Sequence, residues 1–377
     1  MKLTQLILPS ALAVLPVSGA MAQDATLPPC DNCSDTLTIS SWGGAYQDMQ
    51  VKNFAEPYIK ATGVNIVWEE ASNEAVAKLR AMKEAGNVTW DIADVLASDG
   101  IRLCDEGLVE EVPLDEWLAP AADGTPASKD MEKSVTSGCH IPTNAYSTTF
   151  GYRTDVAEWN GKVPTSVCDV FDLENFPGKR ALEKRPVNNL EWALICSGVP
   201  ADQLYDTLAT DEGVQKALDK LGTIKDQTVW WSAGAETPQL LADKEVVIGS
   251  TYNGRLFSLI AEQNQPVAML WDYEVLDIDG FVVPAGLPED RLNRAKHFLN
   301  FATTTENLAG ITKYISYGPA RESSQPLVGN HVTLGIDMKP HMPTSPDNAK
   351  TGFLFNYAWW ADHRDDLDAR FQSWLAQ

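Results

Sequence analysis

The sequence predicts an α/β fold, in which a mostly parallel sheet is covered by helices on both faces. The first observation is a regular alternation of short apolar strand-like segments with helix-like segments from Asp35 onward. The second is that glycines such as Gly63 and Gly107 directly follow predicted helices, where a helix stop is expected. The third is size: 377 residues with 44% hydrophobic content can fill one large or two medium cores. Alternation over this length favours parallel strands covered on both faces.

The first unit carries polar and aromatic residues directly after its predicted strands. Ligands of such sheets bind beyond the carboxyl ends of the strands. Trp42 follows the first strand, and Ser98 and Asp99 follow the third, so these residues are predicted at the mouth of a site. The predicted strands are 37–41, 64–68 and 91–96, and the predicted helices are 47–62, 73–85 and 99–106.

A second unit is predicted to start near Thr148, and two strands are expected to cross between the units. A loop rich in proline and polar residues covers about 319–350, and the tail 353–377 carries three tryptophans. The strands predicted to cross between the units are 150–153 and 281–284, and the other predicted strands are 228–232 and 245–250. The predicted helices are 188–196, 211–221, 237–242, 291–302 and 304–314.

Residues 1–22 are interpreted as a signal peptide. A basic start precedes an apolar stretch from Leu6 to Val17 that is too short to span a bilayer, and Ala20-Met-Ala22 has the form of a cleavage site. We therefore expect cleavage near Ala22 and a periplasmic mature protein. The alternative is a buried N-terminal helix, which the polar, proline-containing stretch after the cleavage site disfavours.

The composition is acidic and unusually rich in tryptophan. The formal net charge is −23, the isoelectric point is near 4.5, and there are 12 tryptophans. A chain without a basic surface is a poor partner for nucleic acid or for an anionic membrane, so neither is expected. Acidity alone does not identify a cationic ligand, because it also serves solubility.

Six cysteines in an exported chain favour structural disulfides. Their order favours Cys104–Cys139 and Cys168–Cys196, with Cys30–Cys33 as a clip near the N-terminus, although other pairings remain open. A redox or zinc interpretation of the Cys30-x-x-Cys33 motif lacks a second ligand pair, so no metal site is predicted.

Several motifs together resemble a known family. They are Trp42-Gly43-Gly44-x-Tyr46, Asn73-Glu74-x-x-x-x-Lys78-Leu79, Trp90-Asp91-Ile92, Glu106-Gly107-Leu108, Tyr252-Asn253-Gly254 and Asp279-Gly280-Phe281-Val282-Val283-Pro284. Because these motifs occur in the same order over about 35–375, the chain resembles the periplasmic solute-binding proteins of polyamine (spermidine/putrescine)-type ABC importers.

The resemblance implies a two-lobed, type II-like periplasmic-binding-protein fold with a ligand cleft between the lobes. Lobe 1 would comprise 35–147 plus about 278–335, and lobe 2 about 148–277 plus 336–377. The lobes would close on a small molecule and deliver it to an ABC permease in the inner membrane. Such a protein has no catalytic residues and no cofactor, and we expect a monomer.

The resemblance also assigns site residues. Family members hold amines with aromatic walls and carboxylates, since a cation is attracted by both. By position, Trp42 and Tyr252 would be aromatic walls and Asp279 a carboxylate. Further candidates at strand ends, at the crossover or beside it are Tyr46, Ser98, Asp99, Tyr146, Trp231 and Trp271.

Two departures from the family pattern change the expected ligand. The segment 184–189 reads Lys-Arg-Pro-Val-Asn-Asn where polyamine binders carry carboxylates, and Arg255 follows Gly254 where a small side chain would suit a polycation. Arginine pairs naturally with a carboxylate. With Arg185 or Arg255 opposite Asp279, the site is predicted to bind a zwitterion or onium acid, such as a betaine, dimethylsulfoniopropionate or a γ-aminobutyrate-like amino acid.

Other interpretations remain open. A polyamine could be held by Asp277, Asp279, Asp99 and Glu74. A periplasmic enzyme is disfavoured, since the chain has neither a Gly-x-Ser-x-Gly elbow nor a phosphate-binding P-loop. Trp42 could be core packing, Asp99 a helix cap and Arg255 a solvated charge. At most one of the adjacent residues Trp230 and Trp231 can face the cleft, because neighbours on a strand point in opposite directions.

Overall fold

The computed structural model describes residues 27–377, so the predicted signal peptide, 1–22, lies outside the described residues. The described strands form one sheet, as the alternating pattern predicts. They are β1 (Thr36–Ser41), β2 (Asn65–Glu70), β3 (Ile92–Leu96), β4 (Ile141–Arg153), β5 (Arg180–Glu183), β6 (Thr228–Trp231), β7 (Ile248–Tyr252), β8 (Val267–Val282), β9 (Gly318–Pro319) and β10 (Phe353–Leu354).

Helices connect these strands and cover the sheet. They are α1 (Gly44–Gln50), α2 (Glu56–Thr62), α3 (Ala75–Ala85), α4 (Ala97–Asp105), α5 (Leu114–Trp117), α6 (Ala127–Asp130), α7 (Asn189–Ile195), α8 (Leu204–Leu208), α9 (Asp211–Gly222), α10 (Glu236–Ala242), α11 (Asn253–Phe257), α12 (Glu289–Ala302), α13 (Thr305–Ile311) and α14 (Tyr357–Leu375). A π-helical segment, Val51–Ala55, joins α1 to α2, and α2 ends at Gly63 in the left-handed conformation.

Two long antiparallel strands hold the sheet together. The order is β2-β1-β3-β8-β4-β7-β5-β6, and β4 and β8 pair from Ile141 opposite Phe281 to Arg153 opposite Val267. On one side β2, β1 and β3 are parallel, and on the other β7, β5 and β6 are parallel. The predicted crossing strands therefore exist, but they have 13 and 16 residues and are much longer than expected. Polar residues inside them interrupt the apolar pattern that marks a strand.

The apolar core is divided in the same way. One cluster, which includes Ile39, Phe281 and Phe298, lies in the half of the sheet that contains β2, β1 and β3, and we call it the first half. Another cluster, which includes Phe150 and Trp192, lies in the second half, which contains β7, β5 and β6. The tail, which the sequence left without secondary structure, is helix α14; it packs on the second cluster and also reaches α4 of the first half. The fold class is thus the expected two-part α/β architecture, while the precise lobe boundaries stay a prediction.

All three predicted disulfides are confirmed. Cys30–Cys33, Cys104–Cys139 and Cys168–Cys196 are joined, with Cα–Cα distances of 5.8, 5.7 and 5.1 Å. In residues 27–377, the helices are all too short or too polar to cross a membrane.

Candidate ligand-binding cleft

The ends of strands β1 and β3 and the middle of the crossing strands meet at one place. Trp42 directly follows β1, Asp94 lies in β3, and Asp279 of β8 is paired with Leu96 of β3 and with Asn144 of β4. The chain can turn sharply after Trp42 because Gly43 has φ of 72°, and a Cβ there would lie 2.7 Å from the Glu70 carboxylate.

Two buried carboxyl groups form the acidic end of the cleft. Asp94 and Asp279 are 0% and 5% exposed and are joined by a side-chain hydrogen bond. Burial raises the pKa of Asp94 to about 6; burial and the neighbouring Asp94 charge raise the pKa of Asp279 well above its usual range. Like-charged carboxyls this close do not both ionise at neutral pH, so the pair carries one proton and one negative charge.

Hydrogen-bond donors from the first half orient that charge. The Trp42 indole Nε1 and the Tyr46 hydroxyl donate to Asp94 at 3.1 and 3.2 Å, and Gln50 Nε2 donates to it as well. Ser41 Oγ donates to Gln50 Oε1, which directs the Gln50 amide nitrogen at the carboxylate. Trp42 is therefore held as part of the acidic end.

Four tyrosines form a continuous row from the acidic end into the second half. Their successive ring centroids are 6.1 Å (Tyr46 to Tyr317), 5.7 Å (Tyr317 to Tyr146) and 5.6 Å (Tyr146 to Tyr252) apart. We call these residues the tyrosine row. Such spacing is typical of aromatic contacts, and the ring faces offer a surface attractive to cations.

Arginines form the basic end of the cleft. Arg185 Nε lies 2.8 Å from Glu183 Oε1, and Asn189 Nδ2 donates to the backbone oxygens of both residues at 2.8 Å, which holds this loop in place. The Arg255 guanidinium carbon lies 5.8 Å from the centroid of the Tyr252 ring. Both arginines thus flank the last tyrosine of the row.

A third carboxyl links the row to the basic end. Asp277 accepts from Tyr146 at 3.0 Å and from Tyr357 of α14 at 2.7 Å. Burial raises the pKa of Asp277, while these two hydrogen bonds and the charge of Arg185 oppose the rise. Asp277 is therefore already occupied by protein donors.

Most of the predicted site residues are brought together here. The group at the two ends and in the row comprises Trp42, Tyr46, Tyr146, Arg185, Tyr252, Arg255 and Asp279. Ser98 and Asp99 lie apart, in the first turn of α4, where burial raises the pKa of Asp99 and the charges of Arg364 and Arg102 lower it. Contact of each residue with a ligand stays a prediction.

Trp231 and Trp271, the other two tryptophans predicted as site residues, are not part of the tyrosine row. Trp231 is 0% exposed and lies behind Tyr252, with ring centroids 6.4 Å apart, so it supports the row and does not line the cleft. Its neighbour Trp230 packs against Phe371 and Trp374 of α14. Trp271 is half-buried in an irregular part of β8 that interrupts the ladder with β4, and its contact with a ligand stays a prediction.

The structure adds residues that the sequence reasoning missed. They are Asp94, Asn144, Gln50, Glu183 and Tyr317. Asp94 had a usable signal, because a charged residue inside a strand buried on both faces requires an explanation. Tyr317 had none, since it lies in a loop beyond α13 and reaches the site only through the tertiary fold.

The chain resembles solute receptors along nearly its whole length. It is 33% identical over 345 residues to the γ-aminobutyric acid-binding protein of Pseudomonas aeruginosa PAO1, covering 91% of this chain and 92% of that protein. The solved structure of the Atu4243-GABA receptor is 29% identical, with a TM-score of 0.74 and coverage of 91% and 98%.

The likeness to polyamine receptors is more distant. A spermidine/putrescine substrate-binding protein from Streptococcus pneumoniae is 17% identical, with a TM-score of 0.69 and coverage of 91% and 100%, so it shows the fold alone. Residues 53–344 match the family model described as bacterial extracellular solute-binding protein. This chain therefore belongs to the bacterial extracellular solute-binding protein family.

Proposed function

We propose that this protein is the periplasmic substrate-binding protein of an ABC importer and that it captures a small amino acid of the γ-aminobutyrate type. One observation carries the proposal: opposite charges stand at the two ends of the tyrosine row. The ligand's ammonium group would bind at Asp94 and Asp279, and its carboxylate would bind at Arg185 and Arg255. The two named γ-aminobutyrate receptors similar to this chain support the same choice.

The acidic end suits a primary ammonium group better than a quaternary one. Asn144 Nδ2 donates to the Tyr46 hydroxyl at 2.9 Å, and among the described residues its Oδ1 is buried without a hydrogen-bond partner. A buried acceptor of this kind gains from an N–H donor. Betaine and dimethylsulfoniopropionate have no such donor, so they rank below an amino acid with a free ammonium group.

The spacing along β4 separates the two ends. Asp279 is paired with Asn144, and Tyr252 is paired with Thr148, four residues further along the strand. At roughly 3.3 Å per residue this is about 13 Å between the two backbone levels. That separation accommodates the Asp279 side chain, a compact zwitterion and an arginine side chain reaching back toward it.

A polyamine is the second candidate, and the buried carboxyls Asp94 and Asp279 with the half-buried Asp277 favour it. Against it, Asp277 is occupied by two tyrosine hydroxyls, and Glu74 is an exposed residue 4.0 Å from Lys78. The basic end would also repel the second ammonium group of a diamine.

Calorimetry with matched ligands tests the proposal. Putrescine has the same four-carbon chain as γ-aminobutyrate but a second amine in place of the carboxylate, and butyrate lacks the amine. We expect γ-aminobutyrate to bind at least about 100-fold more tightly than either, since each loses one charged contact. Tighter binding of putrescine or spermidine would support the polyamine candidate, and glycine betaine or dimethylsulfoniopropionate as the best ligand would support an onium acid.

Two further measurements address the role of the protein. Uptake of labelled γ-aminobutyrate by cells with and without this chain tests delivery to a permease. Recovery of the unchanged ligand after prolonged incubation with the protein tests the enzyme alternative, which requires turnover.

A further inference from the structure

A second cavity, of about 550 Å³, lies behind the crossing strands on the face opposite the tyrosine row. Its floor includes Ala145 of β4 and Leu276 and Ile278 of β8. Successive side chains of a strand point to opposite faces, so these residues alternate with Tyr146 and Asp277, which belong to the cleft. The cavity is therefore separated from the cleft by the two strands that connect the halves.

The walls of this rear cavity are mainly aliphatic. They include Pro319, Val328, Met342 and Leu354, and among the described lining residues there is no aromatic ring. The volume lies within the range of sites for small organic ligands. An aliphatic chain would gain from leaving water here, whereas nothing in the lining offers a stacking partner to a planar ring.

The charged residues at the rear cavity favour an anion. Lys133 Nζ lies 3.0 Å from Glu322 Oε2, so those two charges neutralise each other. Lys339 also lines the cavity, and within residues 27–377 it forms no ion pair. The lining thus carries a net positive charge in a protein whose overall charge is −23. That combination is complementary to a carboxylate head group.

We infer that the rear cavity binds a single-chain aliphatic monocarboxylate. Its carboxylate would face Lys339, and its chain would lie on Leu276, Ile278 and Met342. This inference does not depend on which solute occupies the cleft.

Binding of octanoate to the full-length protein tests the inference. Octan-1-ol and octylammonium carry the same alkyl chain with a neutral and a positive head group. By calorimetry we expect one site for octanoate, binding about threefold weaker for the alcohol, and binding about tenfold weaker for the ammonium. Octylammonium binding as tight as octanoate would overturn the inference.

Substitutions of residues that line the rear cavity test whether octanoate binds there. Ala349 lines the cavity, so Ala349→Trp should fill it and abolish octanoate binding, while an unchanged circular dichroism spectrum reports that the protein is folded. Lys339→Ala should weaken octanoate about threefold, and Lys350→Ala, at an exposed lysine outside the lining, should leave it unchanged. If Ala349→Trp does not fold, the two lysine variants still decide. Equal octanoate affinity in Lys339→Ala and wild type would overturn the inference.

Discussion

The two ends of the tyrosine row hold opposite charges in very different surroundings. At the acidic end, Asp94 and Asp279 are almost fully buried and share a proton. At the basic end, the Arg185 side chain is 39% exposed and already paired with Glu183, and Arg255 is exposed. A buried charge interacts strongly with a partner and responds to pH, whereas an exposed charge is screened by water.

The two ends should therefore contribute differently to ligand recognition. The acidic end, built mainly from the first half and the crossing strands, should supply most of the affinity for the ammonium group. The basic end, built from the second half, should decide between a carboxylate and a second amine.

The largest effect is expected at Asp94. Asp94→Asn removes the negative charge of the carboxyl pair, so γ-aminobutyrate affinity should fall by about 100-fold or more, corresponding to about 3 kcal/mol. Calorimetry measures the change. Asp48→Asn, the same substitution at an exposed residue of α1, is the control and should have no effect. A loss below about fivefold in Asp94→Asn, with the fold intact by circular dichroism, would contradict the assigned role of the acidic end.

A smaller but more selective effect is expected at Arg185. Arg185→Gln should weaken γ-aminobutyrate about 30-fold, because its carboxylate loses an ionic hydrogen-bond partner. Putrescine should bind more tightly than to wild type, since the repulsion of its second amine is reduced. The exposed neighbour offers the control Lys184→Gln, with both affinities expected to be unchanged. Equal weakening of both ligands in Arg185→Gln would place Arg185 outside the carboxylate site.

Much of the fold could be predicted from the sequence, because most of its elements have local signals. The helix that ends at Gly63 and the parallel strands β1 and β3 follow from apolar pattern and helix stops. The crossing strands could not be delimited. Their polar residues, such as Asn144 and Asp277, look like loop residues until the ladder between β4 and β8 is known.

The local signal for site residues was clearest where they follow a strand end, whereas residues inside the crossing strands, such as Tyr146 and Asp279, were predicted from their place in the running order of motifs. Trp42 and Tyr252 stand at such positions; Trp42 donates a hydrogen bond to Asp94, and Tyr252 belongs to the tyrosine row. Trp231 also stands at a strand end, yet its side chain points into the core, because the direction of a side chain depends on the register of β5 and β6. Tyr317 belongs to the row through long-range packing that no local pattern encodes.

Between pH 5 and 8, a change of pH should alter the γ-aminobutyrate affinity and the stability contribution of Asp94 in opposite directions. Because burial raises the pKa of Asp94 from 3.8 to about 6, protons compete with the ammonium group, so γ-aminobutyrate affinity should fall by about tenfold per unit below pH 6. The same shift means that the ligand-free folded protein holds a proton more tightly than the unfolded chain does. Its contribution to stability is complete below pH 3.8 and is lost as the pH rises through about 6.

Calorimetry and thermal unfolding measured over this pH range check both trends. Asp94→Asn is the control, since it removes this titrating group: the affinity profile should flatten, and the stability profile should lose its component near pH 6. The remaining pH dependence of stability belongs to Glu191 and Glu274, whose pKa values burial raises to about 7 and about 8. An affinity that stays constant from pH 5 to 8 would mean that the pair does not exchange its proton for the ligand.

The smallest effect is expected at Arg255, which is the more exposed of the two arginines at the basic end. Arg255→Gln should weaken γ-aminobutyrate only about threefold, because an exposed arginine contributes less than about 1 kcal/mol to an ion pair. The effect should shrink further in 0.5 M salt, since screening acts most on exposed charges. The Arg185→Gln effect should shrink less, because the Arg185 side chain is only 39% exposed. Arg370→Gln, an arginine of α14 paired with Asp211, serves as the control for the loss of one positive charge. A loss at Arg255 larger than that at Arg185 would reverse the order of the two arginines and place the carboxylate at the exposed edge of the row, above Tyr252 and not beside Glu183.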